Sequence, residues 1–283
     1  MDATRRTGPP LYRGDGSDRP AGVALPPARM PLLHAGRLLK RWRYVSVWGS
    51  QISLCTGRVQ VGPFHQEFWA IWDRAGRRLW EHTRLITGRV RLAPGMVHVR
   101  DGSTSIDVEL DERGGFELIT PDGKAYTWTR KQIVAARGSA RVGKIRLPVE
   151  AVALIDDNAG YHRRHTRWHW SGGAGHDESG RQVAWSVITG LNDTLGCSEN
   201  TLWIENQPHE VGPVRFADDL SSVAFADGAT LHFHSEAVRA RRDNLLLVRS
   251  NYRQPFGTWT GTLPGNIRLG DGYGVMEFHE AYW

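Results

Sequence analysis

From Trp42 onward, segments of strand length alternate with glycine-bearing turns and leave no run long enough for an ordinary helix. RYVSVWGSQISLCTGRVQVG, EFWAIWD, RRLWEHTRLIT and GMVHVRDGSTSIDVELDERGGFELIT read as successive antiparallel strands. DRAG, RDGS, ERGG and PDGK join them. Glycine in such turns supplies the positive φ that a tight hairpin needs. Twelve Trp and 32 Gly fit short strands and tight turns better than a helical bundle. Helical spacing survives only across Leu32, Leu39 and Trp42. The expected fold class is all-β.

A chain of 283 residues can bury one large or two medium β domains. The pattern loosens across residues 137–157, where Gly138, Gly143, Pro148 and the pair Asp156 and Asp157 read as a crossover between two β units. The expected organisation is an arm over residues 1–30, an N-terminal β domain over 31–150 and a C-terminal one over 151–283. In the second unit, strands are expected near 162–171, 181–190, 200–206, 211–217, 221–226, 229–235, 243–250, 256–263 and 273–282. An echo between Asp73–Arg77 (DRAGR) and Asp177–Arg181 (DESGR) suggests duplication.

The formal charge of +6 suggests nucleic acid until it is placed along the chain. Residues 1–43 hold nine Lys/Arg against three Asp/Glu, and the rest of the chain holds 27 of each. The body is therefore neutral. Arg5, Arg6, Arg13, Arg19 and Arg29 sit among Gly, Pro, Asp and Ser, which reads as a disordered basic arm. Only Tyr12 interleaves with them, so no nucleic-acid partner is expected. Cys55 and Cys197 form no disulfide framework or CxxC pair. Without a signal-like apolar core or a stretch of roughly 18 apolar residues, the expected location is the cytoplasm.

Residues 160–203 concentrate reactive side chains. Strand alternation over 162–170 groups His162, Arg164, Thr166, Trp168 and Trp170 on one face and Arg163, His165, Arg167 and His169 on the other. The first face suits a lined cavity, with Arg164 fixing a polar group or stacking on an indole. Ser171–Gly175 lacks the lysine and helix of a phosphate loop and reads as a bend at a barrel rim. Asn192, Asp193, Glu199 and Asn200 fall where strands meet a loop. There they either orient a ligand and act as acid or base, or cap turns. In the closing GVMEFHEAYW, Glu277, His279 and Trp283 share one strand face. The pair is either an acid–base station beside an indole or ordinary surface.

Other chemistries lack their patterns. No HExxH accompanies His162, His165 and His169, and Leu231 and Phe233 leave His232 and His234 for water, so no metal is expected. No GxSxG or GxGxxG opens a helix, so neither a serine nucleophile nor a nucleotide cofactor is expected.

KRWRYVSVWG, FWAIWDR, YTWTRKQ, GYHRRHTRWHWSGGAG, SENTLW, SNYRQPFGTWTGTLP and GVMEFHEAYW together resemble the bacterial domain-of-unknown-function family 2804, over about residues 31–283. That family is similar in architecture to the two-domain lipocalin-like group of carotenoid hydratases and fungal polyketide pericyclases. The resemblance implies two β-barrels or half-barrels packed together, with apolar ligands near their junction. His165, Trp168 and Trp170 resemble a His/Trp-rich strand of the hydratases. Asp193 and Glu277 are candidates for those enzymes' aspartate-centred acid.

Two functions are thereby expected. One is a protein that binds a lipophilic small molecule in an aromatic cavity in or beside the C-terminal barrel, using His162, Arg164, Trp168, Trp170, Asn192, Asn200 and His279. The other is a cofactor-independent hydratase, isomerase or cyclase on an isoprenoid or polyketide-like substrate, with Glu199, Asp193 or Glu277 as the catalytic carboxyl.

Overall fold

Along Lys40–Trp48, Val45 and Val47 point to one side and Tyr44 and Trp48 to the other, and all four are buried. A strand covered on both faces must lie between two packed layers. The computed structural model, which describes residues 8–245 and 248–283, shows those layers.

β1 (Tyr12–Gly14) is followed by the small hairpin β2 (Leu33–His34) and β3 (Arg37–Leu38). Then come β4 (Lys40–Trp48), β5 (Ile52–Val61), β6 (Phe64–Asp73) and β7 (Arg78–Arg84). β8 (Val90–Ala93), β9 (Met96–Asp101), β10 (Thr104–Leu110) and β11 (Phe116–Asp122) precede the long hairpin β12 (Ala125–Val142) and β13 (Ile145–Gly160). The chain then enters β14 (His165–Asp177), β15 (Gln182–Thr189), β16 (Thr201–Ile204) and β17 (Gln207–Glu210). It ends through β18 (Val214–Phe216), β19 (Ser222–Phe225), β20 (Thr230–Leu245), β21 (Val248–Leu263) and β22 (Ile267–Tyr282). All ladders are antiparallel, and the all-β expectation holds.

The first sheet runs β7-β6-β5-β4-β13-β12-β10-β9-β8, with β11 alongside β12 and β1 alongside β11; the second runs β17-β16-β15-β14-β22-β21-β20-β19-β18. Strand for strand the two orders are the same, which is the topology of a duplicated unit. β8 comes back against β5 and β6, and β18 against β15, so each sheet curls around its own core. Val47, Ile71, Val99 and Ile106 fill the first, and Trp185, Phe233, Trp259 and Met276 the second. A third core lies between the sheets, where Tyr44, Trp48 and Leu154 meet Trp168, Trp170 and Val275.

Several expectations change. Residues 137–157 are no crossover: they belong to the β12–β13 hairpin, which turns at Val142–Ile145 and carries the first sheet to Gly160. Pro148 is tolerated within that strand. The DxxGR echo joins hairpins that are not equivalent, because Asp73 closes β6 whereas Asp177 closes β14, and the strand equivalent to β14 is β4. Leu32–Trp42 contains the β2–β3 hairpin rather than a helix. The strand expected at 243–250 falls partly outside the described residues, and its flanks belong to the paired strands β20 and β21.

Ser171–Gly175 lies inside β14 and is not a bend. A Cβ on Gly173 would meet the Trp185 ring at 2.3 Å, and one on Gly175 would meet the Asp271 carbonyl oxygen at 2.0 Å. These glycines make room for an indole and for close backbone approach.

The arm is ordered from Gly8 onward, contrary to the reading of residues 1–30 as disordered; residues 1–7 lie outside the described residues. Tyr12–Gly14 pairs with Glu117–Ile119. Arg13 donates to Thr201 Oγ1 at 2.9 Å, and Arg19 makes a forked pair with Glu117. Leu25 and Met30 are buried against Tyr126, Trp128 and Tyr161. Charge and glycine content concealed these two apolar anchors.

Candidate functional site

The third core is incomplete toward one end, and there the sheets enclose a cavity of about 1300 Å³. Trp42, Tyr44, Phe68, Trp168, Trp170 and Trp283 supply much of its wall. Strand parity puts them there: in β14, residues 166, 168 and 170 turn inward while His165 and Arg167 stay exposed. The inward polar groups include Asp156, Glu199, Arg239, Glu277 and His279.

Glu277 comes from β22 and is buried. Trp168 Nε1 donates to its Oε1 at 2.8 Å and Gln254 Nε2 to its Oε2 at 2.7 Å. Gln254 is oriented by Arg239, whose Nη1 donates to its Oε1 at 3.2 Å. Arg239 is in turn held across the sheets by Glu81 Oε2 at 2.9 Å and, from the neighbouring strand β21, by the Tyr252 hydroxyl at 3.1 Å. Burial pushes the Glu277 carboxyl up to about 7, against the two hydrogen bonds that favour its charged form. It therefore exchanges a proton near neutrality. His279 bonds Ser250 Oγ at 2.8 Å and packs on Trp168, and burial pulls it down to about 3, so it stays neutral.

A second polar group forms around Lys131 of β12, which is fully enclosed. Its Nζ lies 2.8 Å from Glu199 Oε1, 3.0 Å from Ser186 Oγ and 3.4 Å from Asp156 Oδ2. Asn192, in the left-handed conformation that asparagine tolerates, donates from Nδ2 to Glu199 Oε2 at 2.9 Å. One buried cation thus faces two carboxyls. Burial would lower Lys131, but the two acids outweigh it and the ammonium stays charged. Asp156, the more distant acid, is pushed up to about 6 by burial, with Lys131 opposing. Its Oδ1 has no hydrogen-bond partner.

The duplicated topology relates these two stations. β4 and β14 hold the same place in their sheets, as do β13 and β22. Asp156 lies opposite Tyr44 and Asn158 opposite Trp42; Glu277 lies opposite Trp170 and His279 opposite Trp168. Each half contributes one carboxyl with a raised pKa, in the same register against an aromatic. The flanking residue differs: Lys131 pairs with Asp156, whereas Gln254 bonds Glu277. That difference leaves a cation beside one acid and only neutral donors beside the other.

The structure brings Trp168, Trp170, Glu199, Glu277 and His279 to one cavity and leaves the other predicted residues outside its lining. Arg164 is exposed in the turn before β14, where its carbonyl accepts the Trp283 amide; the alternation pattern was extended past the true start of the strand. His162 is buried beneath the cavity wall, stacked on Trp42, and its Nε2 donates to Asn158 Oδ1. Asn192 braces Glu199 from behind. Asn200 accepts the Ile188 amide at 2.7 Å. Asp193 is exposed and accepts the Gly190 amide, which is turn chemistry and no acid station. Lys131, Asp156, Arg239 and Gln254 were missed. The alternation of Thr127, Thr129 and Lys131 was a usable signal, and the doublet Asp156–Asp157 another.

An all-β chain of two like-ordered sheets around an aromatic cavity is the class that fold and site define. A family model, Domain of unknown function (DUF2804), matches residues 89–283, and the chain belongs to that family. No curated protein matches in sequence. Among solved structures, kievitone hydratase from Nectria haematococca is 8% identical, over 84% of this chain and 88% of that one, with a TM-score of 0.53. A putative AttH from Nitrosomonas europaea is 12% identical over 90% and 98%, TM-score 0.42, and CghA with Sch210972 is 9% identical over 96% and 97%, TM-score 0.44. The likeness to kievitone hydratase is one of fold.

Proposed function

We propose that the protein takes an apolar small molecule into the cavity between its sheets, with Glu277 presenting a protonated carboxyl to it. The aromatic wall around about 1300 Å³ carries this reading. Such a space exceeds the roughly 300–1,000 Å³ of ordinary ligand pockets and suits a long or polycyclic molecule. Asp156, Glu199 and Glu277 on its wall would fix a polar end. We place the protein in the cytoplasm, where Cys55 and Cys197 stay reduced. The decisive experiment incubates purified protein with total lipid extract and identifies co-purifying molecules by mass spectrometry. A near-stoichiometric apolar ligand, with lower occupancy in a Val59→Trp variant that narrows the cavity, is expected. Recovery of no ligand would sink the reading.

A second reading is favoured by the Glu277 station. A carboxyl that keeps its proton near neutrality in a dry, aromatic site is a general acid for a double bond or carbonyl. Asp156, beside the Lys131 ammonium, would place a carboxylate opposite a developing cation once ionised. Likeness in fold to a protein named as a hydratase agrees with this only by analogy. Under it, Glu277→Gln abolishes turnover of the ligand identified above while leaving its binding intact; retained turnover removes the acid role.

A further inference from the structure

The cavity's open end is bordered by apolar side chains that face water. Phe64, Leu85 and Ile86 line the cavity and are exposed, Ile86 at 81%. Phe64 opens β6 at the β5–β6 turn, and Leu85 and Ile86 lie in the β7–β8 loop. The β2–β3 hairpin adds Leu32, Leu33 and Leu38, also exposed. It is fixed beside the β5–β6 turn, because the Gly62 amide donates to the Leu39 carbonyl and the Leu39 amide to that of Leu32, both at 2.8 Å. A Cβ on Gly62 would touch Leu38 at 3.2 Å. Three loops thus present apolar tips at one end, which no fold-level need requires.

The charge around this end has one free sign. Arg41, Arg89, Arg242 and Arg249 are exposed, and none has a carboxylate partner among the described residues. Arg41 precedes Trp42 of the cavity wall, Arg89 closes the β7–β8 loop, and Arg242 and Arg249 lie near the paired ends of β20 and β21, where Arg249 pairs with cavity-lining Asn244. The nearby acids are already engaged: Asp243 holds Arg241 at 2.8 Å, and Glu67 accepts the amides of Gly88 and Arg89. A second copy of the chain meeting this face on a two-fold axis would set unpaired arginines against each other. Anionic headgroups over an apolar layer complement both features at once.

We infer that this end of the molecule docks on an anionic phospholipid surface, seating Leu32, Leu33, Phe64, Leu85 and Ile86 in the interface and the arginines on phosphates. An apolar ligand then passes between bilayer and cavity without crossing water. The inference depends on where the cavity opens and not on what Glu277 does there.

Flotation with vesicles of phosphatidylcholine and phosphatidylglycerol, against vesicles of phosphatidylcholine alone, tests it. The protein is expected to float with the first and far less with the second. The bound fraction should fall about tenfold in Leu32→Ser/Leu33→Ser, by the apolar area lost from the interface. It should fall comparably in Arg242→Gln/Arg249→Gln. Absence of flotation, or flotation unchanged by both pairs, overturns the inference. So does a stable dimer in light scattering that the leucine variant dissolves, since that assigns the rim to a second copy. Leu32 and Leu33 lie outside the cavity lining. Binding of N-phenyl-1-naphthylamine by that variant therefore reports the cavity separately, and lost docking with retained probe binding leaves the ligand reading intact.

Discussion

Glu277 makes stability fall with pH in a window where ordinary carboxylates do nothing. In the unfolded chain its proton leaves near 4.5, whereas in the folded chain burial holds it to about 7. Between those values the native state binds a proton that the unfolded state does not, so stability declines as pH rises. The separation of roughly 2.5 units, at 1.36 kcal/mol each, amounts to about 3 kcal/mol by the time the group is ionised in both states. Glu277→Gln removes this titration. The amide cannot accept from both Trp168 Nε1 and Gln254 Nε2, which costs the variant about 1–3 kcal/mol at every pH. The informative quantity is therefore the change with pH and not the absolute difference. Urea unfolding followed by tryptophan fluorescence, at about pH 5 and about pH 8, should show wild type losing about 2.5 kcal/mol more than the variant, most of the full effect. Asp156 titrates in both proteins, so its contribution largely cancels. Parallel pH profiles for the two proteins would refute the assignment of a raised pKa to this site.

Lys131→Met strips the cation from Glu199 and Asp156 and should destabilise the fold by about 3–5 kcal/mol near neutrality. The loss should shrink toward pH 5, as Asp156 takes up a proton; an equal loss at both pH values contradicts the shared-cation arrangement. Arg19→Ala leaves buried Glu117 with only Trp128 Nε1 as donor. Because Arg19 is partly exposed, the cost is about 1–2 kcal/mol. Limited proteolysis should then cut within residues 15–30, and resistance there would show that the arm is held by Leu25 and Met30 alone.

Much of the site was legible because strand alternation is a local rule. Trp168 and Trp170 share a face, as do Glu277 and His279, and the structure sends both sets into one cavity. The same rule failed at Arg164, where the strand had not yet begun. Alternation also cannot say which strands become neighbours. The Arg239–Glu81 pair joins residues 158 apart in the chain, and Lys131 reaches Glu199 across 68. The long β12–β13 hairpin hid both Lys131 and Asp156, since Gly143 and Pro148 suggested an interruption where the ladder is continuous. The DRAGR and DESGR turns, which suggest duplication in the sequence, do not correspond in the fold. The firmer signature of duplication is the matching position of Asp156 and Glu277, which rests on pairing partners that no single segment reveals.

The central claim is that the space between the sheets holds an apolar molecule. N-phenyl-1-naphthylamine, which fluoresces when it leaves water, can be titrated into wild type and Val59→Trp. Val59 lines the cavity on β5, and tryptophan there keeps the strand's preference while intruding into the space. Saturable binding to wild type, weakened in a variant of unchanged stability because the added indole intrudes on the wall the probe packs against, is expected. Equal binding by the two proteins, or none by wild type, would contradict the account.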